Sequence, residues 1–263
     1  VHLAIKNSIP NEIILIAGKG HENIQDYGRK KYKISDFEII KIFKNKKDKT
    51  KKTINSQQNN FLIKKIINRK LSKGFNGVSI DSKTVKKGNL FFAIKGKNND
   101  GHNYLNEAIL KGASYCVISK NFNKISKNNF IKVTNTYNCL KKLAILKRNY
   151  TNGKIIAVTG SSGKTTVKDL IGNLLKRYGD TYFSPRSFNN SYGVPLSLCN
   201  LEQEHEYGVF EIGMSKKGEI NTLSKLVKPN IAIITNIAEA HIENFKNLNH
   251  IAKAKGEIID NIA

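Results

Sequence analysis

Residues Lys154–Thr166 of this 263-residue chain have the sequence KIIAVTGSSGKTT, an apolar run followed by a glycine-rich turn. The apolar run predicts a buried strand, and the residues from Thr165 to Arg177 continue with helical periodicity. The predicted apolar face of this helix consists of Val167, Leu170, Ile171, Leu174 and Leu175. A strand, a glycine turn and a helix in this order are the context that a phosphate-binding loop requires.

The turn itself has the chemistry for holding a polyphosphate. Its glycines let backbone N–H groups face phosphate oxygens, and the helix N-terminus adds the positive end of a dipole. We expect Lys164 to neutralise the phosphates and the Thr165 hydroxyl to hold Mg²⁺. Val158 stands where the general GxxxxGK[ST] motif has its first glycine. The predicted ATP-binding residues are Gly160, Ser161, Ser162, Gly163, Lys164, Thr165 and Thr166.

Strand and helix patterns alternate on the C-terminal side of the loop. Apolar runs at Gly208–Ile212 and Ile231–Thr235 flank a helical pattern at Glu219–Val227. This alternation predicts an α/β fold with a parallel sheet, whose ligands bind at the carboxyl edge. Glu211 ends one strand there and His241 follows the other, so both are candidate Mg²⁺ ligands. The alternatives are a strand-end glutamate that reaches water and a structural histidine.

Residues 61–150 predict a second, smaller α/β domain. Strand-like runs at Asn89–Ile94 and Ser114–Ser119 alternate with helical patterns at Tyr104–Lys111 and Tyr137–Tyr150. The ATP-binding domain then occupies residues 151–263.

Two further segments precede these domains. Residues 44–60, KNKKDKTKKTINSQQNN, are polar and without periodicity, and we predict a flexible linker there. Residues 1–43 contain one strand-like run, Ile13–Ala17, before a glycine-rich turn, which is too little for a domain. The first residue is Val1, and the last helical pattern meets no stop signal before Ala263, so we expect a fragment of a longer protein.

The charge of the chain raises nucleic acid as a partner. There are 45 Lys and Arg against 20 Asp and Glu, a net charge of +25. The excess is mostly Lys, it accompanies many Asn and Ile, and Trp is absent, which is the composition that an AT-rich genome imposes. We therefore expect no nucleic-acid partner.

Cysteine and hydropathy patterns exclude other classes. Cys116, Cys139 and Cys199 are odd in number and widely spaced, which indicates neither a disulfide framework nor a zinc site. No apolar run reaches the roughly 18 residues of a membrane span. We expect a cytoplasmic, monomeric protein.

The motifs around the phosphate loop resemble those of Mur ligases. In chain order they are GSSGKTT (160–166), FNNSYGVPL (188–196), EIGM (211–214), TNI (235–237) with AHIE (240–243), and AKAKGE (252–257). GVSIDSK (77–83), LFFAIKG (90–96) and DGH (100–102) resemble the UDP-sugar-binding domain of the branch that adds D-alanyl-D-alanine. IAGKGHE (16–22) resembles the end of the C-terminal domain of the tripeptide synthetase branch.

This resemblance implies an ATP-dependent amide ligase that uses ATP and Mg²⁺. Its substrates are implied to be UDP-N-acetylmuramoyl-tripeptide and D-alanyl-D-alanine, joined through an acyl phosphate in peptidoglycan precursor synthesis. The first 43 residues are implied to be a remnant of a tripeptide synthetase, either fused or read together with its neighbour.

The resemblance also implies residue roles. Lys164, His241 and Lys255 are the implied catalytic residues, with Thr165, Glu211 and His241 near Mg²⁺. Lys255 matches a lysine that these ligases often carry as a carbamate; an ordinary surface lysine is the alternative.

Substrate contacts are implied at six other residues. Asn189 and Asn190 match positions that contact the UDP-sugar peptide, as do Asp81 and Ser82, where the family's next residue is usually Arg and here is Lys83. Gly18 and Glu22 match contacts to a diamino acid in the tripeptide synthetase.

Two other functions stay open on sequence alone. Another P-loop ligase, such as folylpolyglutamate synthetase, shares the phosphate loop, but a domain resembling a UDP-sugar binder argues against it. A basic nucleic-acid-binding ATPase predicts clustered Arg and aromatic residues, whereas Lys is spread along this chain and peaks in residues 44–60.

Overall fold

The computed structural model describes residues 2–7, 14–15, 24–26, 28, 31–32, 35–119, 129–239 and 242–263. The chain divides into two compact units, residues 1–54 and residues 55–263.

The first unit contains a short helix and a two-stranded antiparallel sheet. These are α1 (His2–Asn7), β1 (Gln25–Asp26) and β2 (Lys31–Tyr32). Of the predicted strand Ile13–Ala17, only Ile14 and Leu15 are described, and neither is in regular secondary structure.

A 32-residue helix, α2 (Asp36–Ile67), runs through the segment predicted as a linker. The prediction of irregular chain at residues 44–60 is therefore wrong. The segment has neither Gly nor Pro, and it contains six Lys, a residue with high helix propensity. Its polar residues form no apolar stripe, so periodicity gave no helical signal. The last turns are anchored by Leu62 and Ile63, both fully buried in the second unit.

The second unit begins with a four-stranded parallel sheet in the order β3, β4, β5, β6. Its strands are nearly all buried, as parallel strands covered on both faces are. The elements are β3 (Val78–Ser79), β4 (Leu90–Phe92), α3 (Leu105–Leu110), β5 (Tyr115–Ile118), β6 (Phe130–Lys132) and α4 (Thr136–Tyr150).

A second parallel sheet follows, in the order β10, β7, β9, β8. The strand that comes first in the chain, β7, lies between β9 and β10, so the strand order reverses at β7. Such a reversal leaves a crevice at the carboxyl end of the strand. The elements are β7 (Lys154–Thr159), α5 (Lys164–Leu175), β8 (Thr181–Phe183), α6 (Gly193–Cys199), β9 (Tyr207–Glu211), α7 (Glu219–Val227), β10 (Ile231–Ile234) and α8 (Leu248–Gly256). The predicted α/β class with parallel sheets is confirmed.

The packed face of α5 agrees with the predicted one at Val167, Ile171 and Leu175, which are partly buried against the second sheet, and differs from it elsewhere. Leu170 and Leu174 are exposed, whereas Lys168 is fully buried and Gly172 is buried. A Cβ on Gly172 would lie 2.5 Å from the Phe183 ring, so this glycine lets the helix approach β8 closely. The helix is therefore rotated toward β8 relative to its most apolar stripe.

The two sheets share one core. The largest buried cluster contains Phe92 and Leu140 from the first sheet region together with Ile155 and Phe210 from the second. The predicted boundary between residues 150 and 151 falls between the sheets and stays a prediction.

All three cysteines are buried, and none of them forms a disulfide. Within the described residues, no helix is both long enough and apolar enough to cross a membrane.

Candidate active site

The phosphate loop lies at the carboxyl end of β7, between that strand and α5. Gly160 has φ +150°, and a Cβ there would be 1.9 Å from the Thr235 Oγ1 atom, so only glycine fits beside the end of β10. Gly163 has φ +74° and is the N-cap of α5. Val158, where the general motif has glycine, is instead a fully buried residue of β7.

Asn236, which follows β10, holds the loop in shape. Its Oδ1 atom accepts the backbone N–H groups of Ser161 (3.1 Å) and Ser162 (2.9 Å). Its Nδ2 atom donates to the Ser162 hydroxyl at 2.6 Å. The site assignment from sequence missed this residue; its position directly after a parallel strand at the carboxyl edge was the available signal.

Lys164 currently bonds to the loop itself. Its Nζ atom donates to the carbonyl oxygens of Gly160 (2.8 Å) and Ser161 (3.1 Å). These contacts place the ammonium group of Lys164 beside the loop, where it would form charge-assisted hydrogen bonds with an anion.

A buried carboxylate joins the loop to the segment after β8. Glu211 is 1% exposed. Its Oε2 atom accepts the Thr165 hydroxyl at 2.7 Å, and its Oε1 atom accepts the Asn189 side-chain N–H at 2.7 Å. The prediction that Glu211 faces the loop is thus realised in the geometry, and water contact as its main role does not fit this burial.

Gly160, Ser161 and Lys164 of the loop and Asn189 after β8 border a cavity of about 720 Å³. Among described residues with ionisable side chains, its lining has three lysines and one glutamate, so it favours anionic ligands. The lining residues are Gly160, Ser161, Lys164, Asn189, Asn190, Ser191, Gly213, Met214, Ser215, Lys217, Gly218, Glu219, Thr222, Leu223 and Lys255.

Lys255, on α8, is only 3% exposed, which contradicts the alternative of an ordinary surface lysine. Burial, and secondarily the charge of Lys164, lowers the pKa of Lys255 to about 8. Among the described residues its ammonium group has no hydrogen-bond or ion-pair partner. It is therefore a buried amine at the wall of the cavity, with a larger neutral fraction than an ordinary lysine has.

The carboxylate of Glu257, which follows α8, joins the helix that carries Lys255 to the start of α7. Both oxygens of Glu257 accept the Gly218 N–H (3.0 and 3.1 Å), and Oε2 also accepts the Asn221 N–H at 3.1 Å. Glu257 thus caps the N-terminus of α7 from outside that helix. No local pattern predicts this contact, because its partners are 36 and 39 positions away.

The other predicted residues lie elsewhere. Asp81 and Ser82 follow β3 and do not border the cavity; the Asp81 carboxylate accepts the Lys83 N–H, and the Ser82 hydroxyl donates to Glu107 at 2.7 Å. Thr166 is exposed on α5. His241, Gly18 and Glu22 lie outside the described residues.

Family models match two stretches that together cover more than half of the chain. Residues 158–263 match the Mur ligase middle domain, and residues 74–148 match the Mur ligase family catalytic domain. This chain belongs to the Mur ligase family. The phosphate loop and Lys255 lie in the first match, whereas Asp81 and Ser82 lie in the second.

Similar Mur ligases carry one curated description. A UDP-N-acetylmuramoyl-tripeptide–D-alanyl-D-alanine ligase of Rickettsia prowazekii is 44% identical over 188 residues, 72% of this chain and 42% of the relative. A crystal structure of MurF from Acinetobacter baumannii is 31% identical with a TM-score of 0.68, covering 78% of this chain and 46% of that one. The MurF ligase of Thermotoga maritima in complex with ADP is 35% identical with a TM-score of 0.60, covering 71% and 43%. This chain therefore spans less than half the length of these relatives.

Proposed function

We propose that this chain carries the ATP-binding and acid-substrate-binding part of an amide ligase that joins D-alanyl-D-alanine to UDP-N-acetylmuramoyl-tripeptide. One observation carries the proposal: Glu211 bonds to Thr165 of the phosphate loop through one oxygen and to Asn189 through the other. The phosphate-binding residues and the expected peptide contacts thus meet on one buried carboxylate beside one cavity. The descriptions of the relatives support the choice of substrates.

The proposed reaction has two steps. An oxygen of the tripeptide's terminal carboxylate attacks the γ-phosphorus of ATP, and ADP leaves. The amine of D-alanyl-D-alanine then attacks the acyl carbon, a proton leaves the nitrogen, and phosphate departs with the former carboxylate oxygen. Lys164 stabilises the charge on the transferred phosphoryl group, and the cavity holds the two reactants in contact.

The donor set at Glu211 fits a divalent cation bound together with ATP. The buried Glu211 carboxylate has only neutral hydrogen-bond donors among the described residues, Thr165 and Asn189, and a buried carboxylate is stabilised by a cation. No group of three or more His, Cys, Asp or Glu suited to a metal occurs in the described part of the chain. Thr165 and Glu211 would therefore hold Mg²⁺ alongside phosphate oxygens and water, and Mg²⁺ would supply charge neutralisation.

Lys255 is proposed as a carbamate. Its amine adds CO₂ and loses a proton, which replaces a buried cation with an anion. Only the neutral amine reacts, and a pKa of about 8 leaves about a tenth of it neutral at pH 7, far more than for an ordinary lysine. An anion there would pair with Lys164, whose charge now contributes to lowering the pKa of Lys255.

We also propose that the reaction takes place in the cytoplasm, where ATP and UDP-linked precursors are found. Asp81 and Ser82 are proposed to contact the UDP-sugar at the edge of the first sheet. His241 is proposed as a second group near Mg²⁺.

Omission of single substrates tests the proposed function. The protein, expressed from its full coding sequence, is expected to release phosphate only when ATP, UDP-N-acetylmuramoyl-tripeptide and D-alanyl-D-alanine are all present. Phosphate release that requires glutamate and a folate instead, or that DNA stimulates, would contradict it. Lys164→Ala, which removes the phosphate contact, is the inactive control.

A further inference from the structure

Lys168 is a fully buried lysine that the proposed chemistry does not use. It lies on α5, one turn beyond Lys164, and faces β8. Its Nζ atom donates to the carbonyl oxygens of Ser184 (2.7 Å) and Arg186 (2.8 Å). A third contact is an ion pair with Asp169 at 2.9 Å. Two of the three N–H donors of this ammonium group thus have carbonyl acceptors, and the Asp169 carboxylate pairs with its charge.

The two carbonyl oxygens belong to the segment that delivers Asn189 and Asn190 to the cavity. This segment, residues 184–190, leaves β8 and turns sharply, with Arg186 in the left-handed region at φ +51°. Such a conformation is unfavourable for a residue with a side chain and persists only where the surroundings enforce it. Lys168 donates to the carbonyl oxygen of Ser184, which precedes Pro185, and to that of the strained Arg186, which follows it.

The same segment contacts the active site at two further points. The Ser184 Oγ atom accepts the Glu211 N–H at 3.3 Å, and the Asn189 side chain donates to the Glu211 carboxylate. Lys168 thus links this segment directly to α5, the helix that follows the phosphate loop, through a buried charged group. Neither carbonyl oxygen would keep this donor if Lys168 were replaced by an apolar side chain of similar length.

We infer that Lys168 is a positioning residue that holds residues 184–190 against α5 and so places Asn189 and Asn190 where the acid substrate meets the phosphate of ATP. The inference rests on the proposed function for the identity of that substrate, but not for the placement of the segment. Lys168 itself does not border the cavity.

Lys176 provides a matched control. It is exposed at the end of α5, and its Nζ atom lies 4.6 Å from the Phe183 ring centroid, compared with 6.0 Å for Lys168. Both lysines are near the same ring, but only Lys168 bonds to the backbone of residues 184–190. The variants Lys168→Met and Lys176→Met therefore separate the backbone contacts from loss of charge on this helix.

Hydrogen exchange and ligand titration of the 263-residue chain test the inference. In Lys168→Met, amides of residues 184–190 are expected to exchange about tenfold faster or more, with residues 165–175 unchanged. Its dissociation constant for UDP-N-acetylmuramoyl-tripeptide is expected to rise about tenfold or more, while that for ATP changes less than about threefold. Lys176→Met is expected to match the wild type in both measurements.

The exchange pattern, the folding of the variants and ligand binding by the wild type each test a separate part of this inference. Unchanged exchange at residues 184–190, or equally faster exchange throughout, overturns the positioning role. If Lys168→Met does not fold, Lys168→Gln, which keeps a donor, replaces it, and failure of both to fold also overturns the role. If the wild type binds ATP but not the UDP-peptide while exchange changes locally, the substrate assignment fails and the placement of the segment by Lys168 stands.

Discussion

Thr165 and Glu211 make a short contact on which the phosphate side of the site depends. The Thr165 hydroxyl donates to the buried Glu211 carboxylate at 2.7 Å and lies 3.3 Å from the Ser187 hydroxyl. Removing this hydroxyl leaves one oxygen of a buried carboxylate without its donor, and it also removes a predicted Mg²⁺ ligand.

For Thr165→Val we therefore expect loss of both rate and stability. The rate of phosphate release in the full ligation assay is expected to fall about 100-fold or more. The free energy of unfolding is expected to fall by about 1–2 kcal/mol in urea titrations. Thr165→Ser keeps the hydroxyl and is the control; a Val variant as active as the Ser variant would contradict the role.

Lys255 predicts a specific pH dependence of stability. Its pKa is lowered to about 8 in the folded chain from an ordinary value of 10.5, so between these values the unfolded chain binds more protons. Stability contributed by this residue then rises with pH across that window. In CO₂-free buffer, the unfolding free energy of the wild type minus that of Lys255→Met is expected to increase from pH 7 to pH 10. Parallel pH profiles would show that Lys255 titrates as an exposed lysine.

At the scale of elements, Glu257 joins α8 to α7. Its carboxylate satisfies N–H groups at the start of α7 that would otherwise lack partners, and it lies two residues from Lys255. The orientation of Lys255 and the cavity wall at Gly218 therefore depend on the same contact.

Glu257→Ala is expected to lower the free energy of unfolding by about 1–2 kcal/mol, the size of a lost helix cap. Asp260→Ala, an exposed acid three residues further on, is the control and is expected to change stability by less than about 0.5 kcal/mol. Equal effects of the two variants in urea denaturation would show that the capping contact contributes nothing.

Elements also show what the sequence was able to predict. The helix predicted at Thr165–Arg177 is found at Lys164–Leu175, because a glycine turn and strong periodicity mark it locally. Helix α2 was missed because its stability does not come from an apolar stripe. Lys168, Asn236 and Glu257 were missed because their partners are distant in sequence and are set by packing.

In the second unit as a whole, a largely buried ion pair joins α4 to the chain after α6. Lys147 of α4 is 4% exposed, and its Nζ atom donates to the Glu202 carboxylate at 2.7 Å and to the Asn59 side chain at 2.9 Å. These three residues come from α2, from α4 and from the chain after α6, so the contact fixes the first sheet region to the second.

Lys147→Met is expected to destabilise the second unit by about 2–3 kcal/mol, because it leaves the Glu202 carboxylate, which is only 15% exposed, without its cation. Adding Glu202→Leu is expected to recover most of this loss, since the unpaired charge is then removed. Urea denaturation of the two single variants and the double variant measures the coupling. Additive losses would show that the pair does not act as a unit.

We propose that the cavity brings the tripeptide carboxylate directly against the γ-phosphate of ATP. Oxygen tracing can test this placement: UDP-N-acetylmuramoyl-tripeptide with ¹⁸O in both oxygens of its terminal carboxylate is turned over by the full-length protein with ATP and D-alanyl-D-alanine. Mass spectrometry of the released phosphate is expected to show one ¹⁸O atom per phosphate, because the carboxylate oxygen leaves with it. Unlabelled phosphate at full ligation would contradict the account.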